Sequence, residues 1–326
     1  MAQFNSTMVT SNISSSPGDS PHPSLDSSGL VPAVVMSICF LLGCPGNIAV
    51  IILKPNWENM SSLSQSLMLS LAVSDLLCLV TLPLWIYSFF YGWTFRLVGC
   101  KLITYFVYCS LYASLLTVTV LSVQRYLQVV HLQRSLNRVR ARMLLLPLWL
   151  AAMILSTPAL VFGQLSENQK HWTKCSNQYS FEGQRMAVVL TETLVGFVSL
   201  SVIVFSYISL YRKVNQVPFF NNPQTTRLIT SITVTLVVLC MPYLVINVIS
   251  VAAISLKKEG LLKFSHDIRD TVAATVFVNS ALNPLLYAFT LRLSSLCHRT
   301  AELFIQRFSI SQTMSTAPTT EELATQ

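Results

Sequence analysis

Three ionisable side chains sit inside long apolar runs, where charge is costly. Asp75 ends Leu71-Ala72-Val73-Ser74-Asp75, Arg125 lies between Gln124 and Tyr126 near the end of residues 100–130, and Glu192 lies within residues 186–211. A charge among hydrocarbon must be paired, hydrated or neutralised, and such groups mark binding, relay or switching sites. Asp75 has amide and hydroxyl partners on other runs, in Asn47, Ser114, Asn279 and Asn283. Arg125, ahead of the basic run Arg134, Arg138, Arg140 and Arg142, reads equally as a functional group or as an arginine snorkelling to an interface. The same alternatives apply to Glu192, with a ligand or water network favoured. Chemistry of bond making is not indicated. The 8 cysteines are scattered without a CxxC pair, so neither a zinc site nor a dense disulfide framework is expected. No nucleophile–base constellation or catalytic residue is assigned, and no metal beyond a sodium ion considered below.

The elements that must position these groups follow from composition. Of 326 residues, 52% are hydrophobic and 10% charged, and mean hydropathy is +0.57, well outside the soluble globular range. The net charge of +8 lies in loops between apolar runs and forms no nucleic-acid motif, so a nucleic-acid partner is excluded. Seven apolar runs, at 30–53, 63–91, 100–130, 143–162, 186–211, 228–256 and 271–289, each meet the requirement of about 20 residues for crossing a bilayer. Helix is the form they must take, because an open strand leaves backbone groups unpaired in lipid. Proline interrupts several of them, at Pro158, Pro242 and Pro284, and gives those helices kinks and alternative packings.

An odd number of crossings puts the termini on opposite sides. Residues 1–29 are polar, Ser/Pro/Asn-rich and without an apolar core, so they read as a disordered tail rather than a signal peptide. Sequons at Asn5 and Asn12 suggest that this tail is extracellular and glycosylated. The arginines at 134–142, 212–227 and 292–307 then fall on the cytoplasmic side, in keeping with the positive-inside bias. The expected organisation is an all-α bundle of seven transmembrane helices over residues 30–290, an amphipathic eighth helix at 291–308 and a disordered cytoplasmic tail at 309–326. Serines and threonines in that tail are candidate phosphorylation sites for arrestin binding.

The set Gly46-Asn47, Leu71…Asp75, Cys100, Arg125-Tyr126, Trp149, Pro158, Tyr207, Pro242 and Asn283-Pro284-x-x-Tyr287 resembles the rhodopsin-like G-protein-coupled receptors, in order and spacing, across all seven runs. The resemblance implies a plasma-membrane receptor with no catalysis of its own. It implies a Cys100–Cys175 disulfide, an internal sodium and water pocket at Asp75, Ser114, Asn279 and Asn283, and G-protein coupling through Arg125 with Tyr207 and Tyr287. It also suggests lipidation of Cys297 on the eighth helix, with a free thiol as the alternative. The chain departs from the family pattern at Gln124, where an acid is usual, at Cys240 in place of tryptophan, and at Ser199 near the missing proline of the fifth span.

Val107 stands where receptors for amines carry aspartate, and the seventh run has no lysine for a retinal Schiff base. Thr81-Leu82-Pro83 and Trp93-Thr94-Phe95 resemble the chemoattractant branch. The runs 110–114, 182–185, 192–197 and 242–247 resemble the leukotriene B4 receptors, although Thr104 and Gly163 replace the histidine and arginine expected at the tops of the third and fourth spans. The ligand site implied comprises Tyr108, Tyr112, Arg185, Glu192, Tyr243, Asn247 and Arg269. An acidic lipid requires cations at the mouth and an apolar slot below. The expected function is therefore reception of leukotriene B4 or a related eicosanoid, signalling through a heterotrimeric G protein of the inhibitory class, in chemotaxis and inflammation. A formyl-peptide or anaphylatoxin receptor is the alternative. A seven-helix transporter is the reading from a different class, disfavoured because only Asp75 and Glu192 lie deep and no inverted repeat is visible.

Overall fold

The computed structural model describes residues 27–54, 61–130, 141–167, 173–214, 223–265, 268–269, 271–272 and 274–288. The helices are α1 (Ser27–Leu53), α2 (Ser62–Leu79), α3 (Leu82–Tyr91), α4 (Arg96–Val130), α5 (Ala141–Phe162), α6 (Glu182–Val214) and α7 (Pro223–Ser255). A short helix, α8, covers 259–265, and the helical residues 268–269, 271–272 and 274–288 form α9. Among the described residues, 6 helical spans are long and apolar enough to cross a membrane; α2 and α3 together make one of them. The expected seventh, at 271–289, is only partly described.

The observed boundaries correct several expectations. α1 begins at Ser27, inside the segment expected to be tail. Pro32 lies inside the helix, in its second turn, where its missing N–H removes one bond of the ladder. α4 begins at Arg96, four positions before the cysteine taken as its start. The second span is broken at Val80-Thr81, where the Thr81 hydroxyl donates to the Cys78 carbonyl at 2.7 Å and Pro83 restarts the helix as α3. The sites expected at Asn5, Asn12 and Cys297, the helix at 291–308 and the tail beyond it lie outside the described residues.

α4 is the axis of the bundle. Its 35 residues run about 50 Å at 1.5 Å per residue, and it packs against α2, α5, α6 and α7. Val118 and Leu121 of α4 are fully buried with Leu67 and Leu71 of α2, Ile203 of α6 and Ile229 and Ile232 of α7. Large apolar side chains also face outward, such as Met143, Leu146, Leu150 and Ile154 along one stripe of α5. That stripe suits a lipid surround, where exposed hydrocarbon carries no penalty.

Inside such a bundle the specific ties are polar or small. Asn47 of α1 donates to the Ser280 carbonyl of α9 at 3.1 Å. The Trp149 indole N–H of α5 donates to Ser70 of α2 at 3.1 Å. Thr275 of α9 donates to the Leu239 carbonyl of α7 at 3.0 Å, one turn before Pro242, where the ladder of α7 lacks an N–H. Gly46 permits the approach of α1 to α9: a Cβ there would lie 2.6 Å from Pro284 Cβ.

At the Cys100 end the bundle is capped by an antiparallel hairpin of β1 (Gly163–Glu167) and β2 (Thr173–Asn177), with Leu165 opposite Cys175. No strand was expected from the sequence. Cys175 is disulfide-bonded to Cys100 on α4, Cα to Cα 5.6 Å. Trp93 is buried against this bridge with Trp85 and Phe95, and its backbone N–H donates to the Thr173 carbonyl at 2.8 Å. The hairpin is thus held over the helix ends by one covalent and several packing contacts.

Candidate functional site

The deepest acid beneath the hairpin is Glu192 on α6, nearly three turns inside the helix and 9% exposed. Three donors converge on one of its oxygens, Oε2. Tyr243 Oη of α7 donates at 2.8 Å, Asn247 Nδ2 one turn further along α7 at 3.1 Å, and Arg269 Nη2 of α9 at 2.6 Å. Arg269 also donates to Tyr243 Oη at 3.1 Å and lies over that ring at 5.5 Å. Spacing explains the α7 pair: residues 243 and 247 are i, i+4 and share a face. The charge of Glu192 is therefore matched, which removes the snorkelling alternative for it. Asn247 Oδ1, by contrast, is buried with no partner among the described residues.

Tyr108 and Tyr112, again i, i+4, bring α4 to the same place. They line a cavity of about 20 Å³ with Glu192, Ser156, Pro158 and Asn177. Six of the seven expected ligand residues are thereby gathered around one cluster. Arg185 is two turns before Glu192 on α6, half-buried, and makes no hydrogen bond or ion pair among the described residues. The sequence reading missed Tyr179, in the segment between β2 and α6. Its ring packs against Phe162, tilted by 49° with centroids 5.0 Å apart. Burial first, and then the Glu192 charge, pushes its phenol above the ordinary range, so it stays a neutral donor at physiological pH. Nothing in the local sequence distinguishes it; only the hairpin carries it to the site.

The second cluster is centred on Asp75 of α2, fully buried. Asn283 of α9 donates to Asp75 Oδ2 at 2.6 Å. Asp75 Oδ1, Ser114 Oγ, Asn279 Oδ1 and Asn283 Oδ1 are buried without partners among the described residues. Neutral and anionic oxygens left over around one carboxylate are the donor set of a hard cation, so these residues fit a sodium ion. Among the described residues no group of His, Cys, Asp and Glu suits a transition metal.

At the other end of α4, Gln124 does not touch Arg125. Its amide nitrogen donates to Ser61 and Ser64 of α2, each at 3.0 Å, and the side chain is 2% exposed. Arg125 donates to Gln128 one turn on, at 3.4 Å, and its Nε has no partner among the described residues. Tyr207 of α6 donates to Thr233 of α7 at 3.2 Å. Tyr287 is buried with its hydroxyl 3.3 Å from Met68 Sδ. Among the described residues no hydrogen bond joins these three residues to one another, although Arg125 and Tyr207 are close enough to interact electrostatically.

A bundle of apolar helices with a disulfide-tied hairpin over a polar cavity, and a half-buried arginine at its opposite end, is the architecture of a multi-pass membrane receptor. Residues 46–287 match the family described as 7 transmembrane receptor (rhodopsin family), and the chain belongs to it. It is a multi-pass G-protein-coupled receptor and not an enzyme. Leukotriene B4 receptor 1 of Homo sapiens is 30% identical over 270 residues, which is 79% of this chain and 76% of that one. C-C chemokine receptor type 7 of Bos taurus is 28% identical over 276 residues, 79% and 71% of the two chains. C-X-C chemokine receptor type 2 of Oryctolagus cuniculus is 27% identical over 274 residues, 82% and 76%. These relatives set the receptor among those for chemoattractants.

Proposed function

We propose that this receptor binds an anionic lipid mediator, leukotriene B4 or a related eicosanoid, at the Glu192–Arg269 cluster. The observation that carries the reading is the composition of that site. Guanidinium, phenol and amide donors from α7 and α9 converge on a single acid, beside a cavity lined by Tyr108 and Tyr112 of α4 and by Leu155, Pro158, Ala159 and Val188, and a second cation, Arg185, lies two turns before the acid on α6. A lipid acid needs this pairing of few polar anchors with an apolar slot. Similarity to the leukotriene B4 receptor supports it. Similarity to chemokine receptors favours the second reading, a chemoattractant peptide of the formyl-peptide or anaphylatoxin kind.

In this reading the tail is extracellular, the Cys100 end faces outward, and Arg125 meets a G protein of the inhibitory class, with arrestin acting on the C-terminal tail. Sodium held at Asp75, Ser114, Asn279 and Asn283 is an allosteric modulator whose release accompanies activation. Expressing cells exposed to eicosanoids, formylated peptides and anaphylatoxins, with calcium and cyclic nucleotide read out, test it. A response to leukotriene B4 at nanomolar concentration is expected. Response to peptides alone transfers the assignment to the second reading.

A further inference from the structure

The convergence on Glu192 Oε2 is a complete carboxylate cradle: hydroxyl, amide and guanidinium at 2.8, 3.1 and 2.6 Å. Its present occupant is a side chain of the protein. The acid comes from α6, two donors from α7 and one from α9, so the cradle ties three helices at once. The cavity beside it, about 20 Å³, has room for about one water, whereas ligand sites run to about 300–1,000 Å³. With the tie closed no lipid enters.

We propose that Tyr243, Asn247 and Arg269 form the carboxylate-binding subsite of this receptor, that Glu192 occupies it in the resting molecule, and that an acidic ligand binds by taking Glu192's place. The inference rests on the acidic-ligand reading above and deepens it. Exchange of one carboxylate for another keeps every charge-assisted bond of the cradle. The displaced Glu192 has donors within its own cavity, because Tyr108 and Tyr112 of α4 line it too. Their phenols receive the acid as it turns away from α7 and α9. Asn247 Oδ1, buried and unpartnered, then accepts from a hydroxyl of the ligand next to its carboxylate end. Binding in this way releases α6 from α7 and α9, which links occupancy to helix movement without a separate trigger.

The test uses the full-length receptor, with Glu192→Ala and Glu192→Gln. In Glu192→Ala the cradle is empty, and propionate at about 20 mM should raise its thermal midpoint, whereas propionamide should not; wild type should respond to neither. In Glu192→Gln the competitor has lost its charge, so labelled leukotriene B4 should bind about ten-fold or more tightly than to wild type, a gain the methyl ester does not share. Glu192→Gln keeps an acceptor for Tyr243 and Asn247 and carries the test if Glu192→Ala does not fold. Equal affinity of wild type and Glu192→Gln for leukotriene B4 overturns the exchange, as does propionate having no effect on a folded Glu192→Ala. Propionate rescue with no leukotriene B4 binding to either protein sustains the carboxylate cradle and overturns the eicosanoid assignment alone.

Discussion

At Arg269, what the side chain does in the resting site sets what its loss will do. It donates to both Glu192 and Tyr243, so Arg269→Ala removes a cation from the ligand and also leaves Glu192 buried without its counter-charge. A charge-assisted hydrogen bond contributes about 1.5–3 kcal/mol, so affinity for an acidic lipid should fall about ten-fold or more. Arg185→Ala should weaken binding without loss of stability, since Arg185 makes no ion pair among the described residues. Lys257→Ala, in the exposed turn before α8, should change neither. Competition binding at matched surface expression checks the order; equal, small effects at all three would place the anchor elsewhere. Glu192 and Asp75 were legible in the sequence because charge inside an apolar run has few explanations, whereas Arg269, between two runs, was named only as a cation for an acidic ligand. Asn283 was among the partners that the polar residues of neighbouring runs offered Asp75, whereas those of Glu192 came only with the resemblance. That Asn247 and Tyr243 share one acceptor follows from helix rotation, which spacing within α7 restricts but spacing between helices does not.

At the scale of elements, apolar runs gave six spans to within a few residues at most ends, since membrane thickness fixes their length. Breaks inside a run were harder: Val80-Thr81 is a β-branched pair within an apolar run, with only Pro83 as a signal, and the polar hairpin after α5 had no alternation to betray it. Small residues carry information that hydropathy ignores. At Gly46 an added Cβ would meet Pro284 Cβ at 2.6 Å and Cγ at 2.9 Å, a ring that cannot turn aside. Gly46→Ala should therefore push α1 from α9 and strain the Asn47–Ser280 bond beside it, costing about 1–3 kcal/mol. The thermal midpoint of the purified receptor should drop by several degrees; an unchanged midpoint would mean that α9 is free to shift. The Cys100–Cys175 bridge fixes the hairpin over the cluster. Cys175→Ser should reduce surface expression and ligand binding together, as flow cytometry and binding on the same cells would show.

Across the whole molecule, the two ends of α4 are built differently. Beneath the hairpin the closing contact is an ion pair, Glu192 to Arg269 at 2.6 Å. At the Arg125 end it is a set of neutral bonds: Gln124 to Ser61 and Ser64, Gln128 to Ser61 at 3.3 Å, and Tyr207 to Thr233. A neutral hydrogen bond contributes about 0.5–1.5 kcal/mol, against about 1.5–3 for one to a charged group. Arg125 itself, whose hydrogen bond among the described residues is the long one to Gln128, is held by less still. The closed arrangement at that end is therefore shallow, and ligand-independent signalling should be appreciable. Gln124→Asp gives Arg125 a neighbouring carboxylate and leaves Ser61 and Ser64 as donors to it. The gain of about 1 kcal/mol should lower basal signalling several-fold at matched surface expression, and shift the agonist response to higher concentration. Gln124→Ala removes both serine contacts and supplies no charge, so it should raise basal signalling and lower the thermal midpoint. Both variants are read by cyclic nucleotide accumulation without ligand. Basal signalling that stays level or rises in Gln124→Asp would move the restraint to α6 and α7, where Cys240 packs against the core in place of an indole.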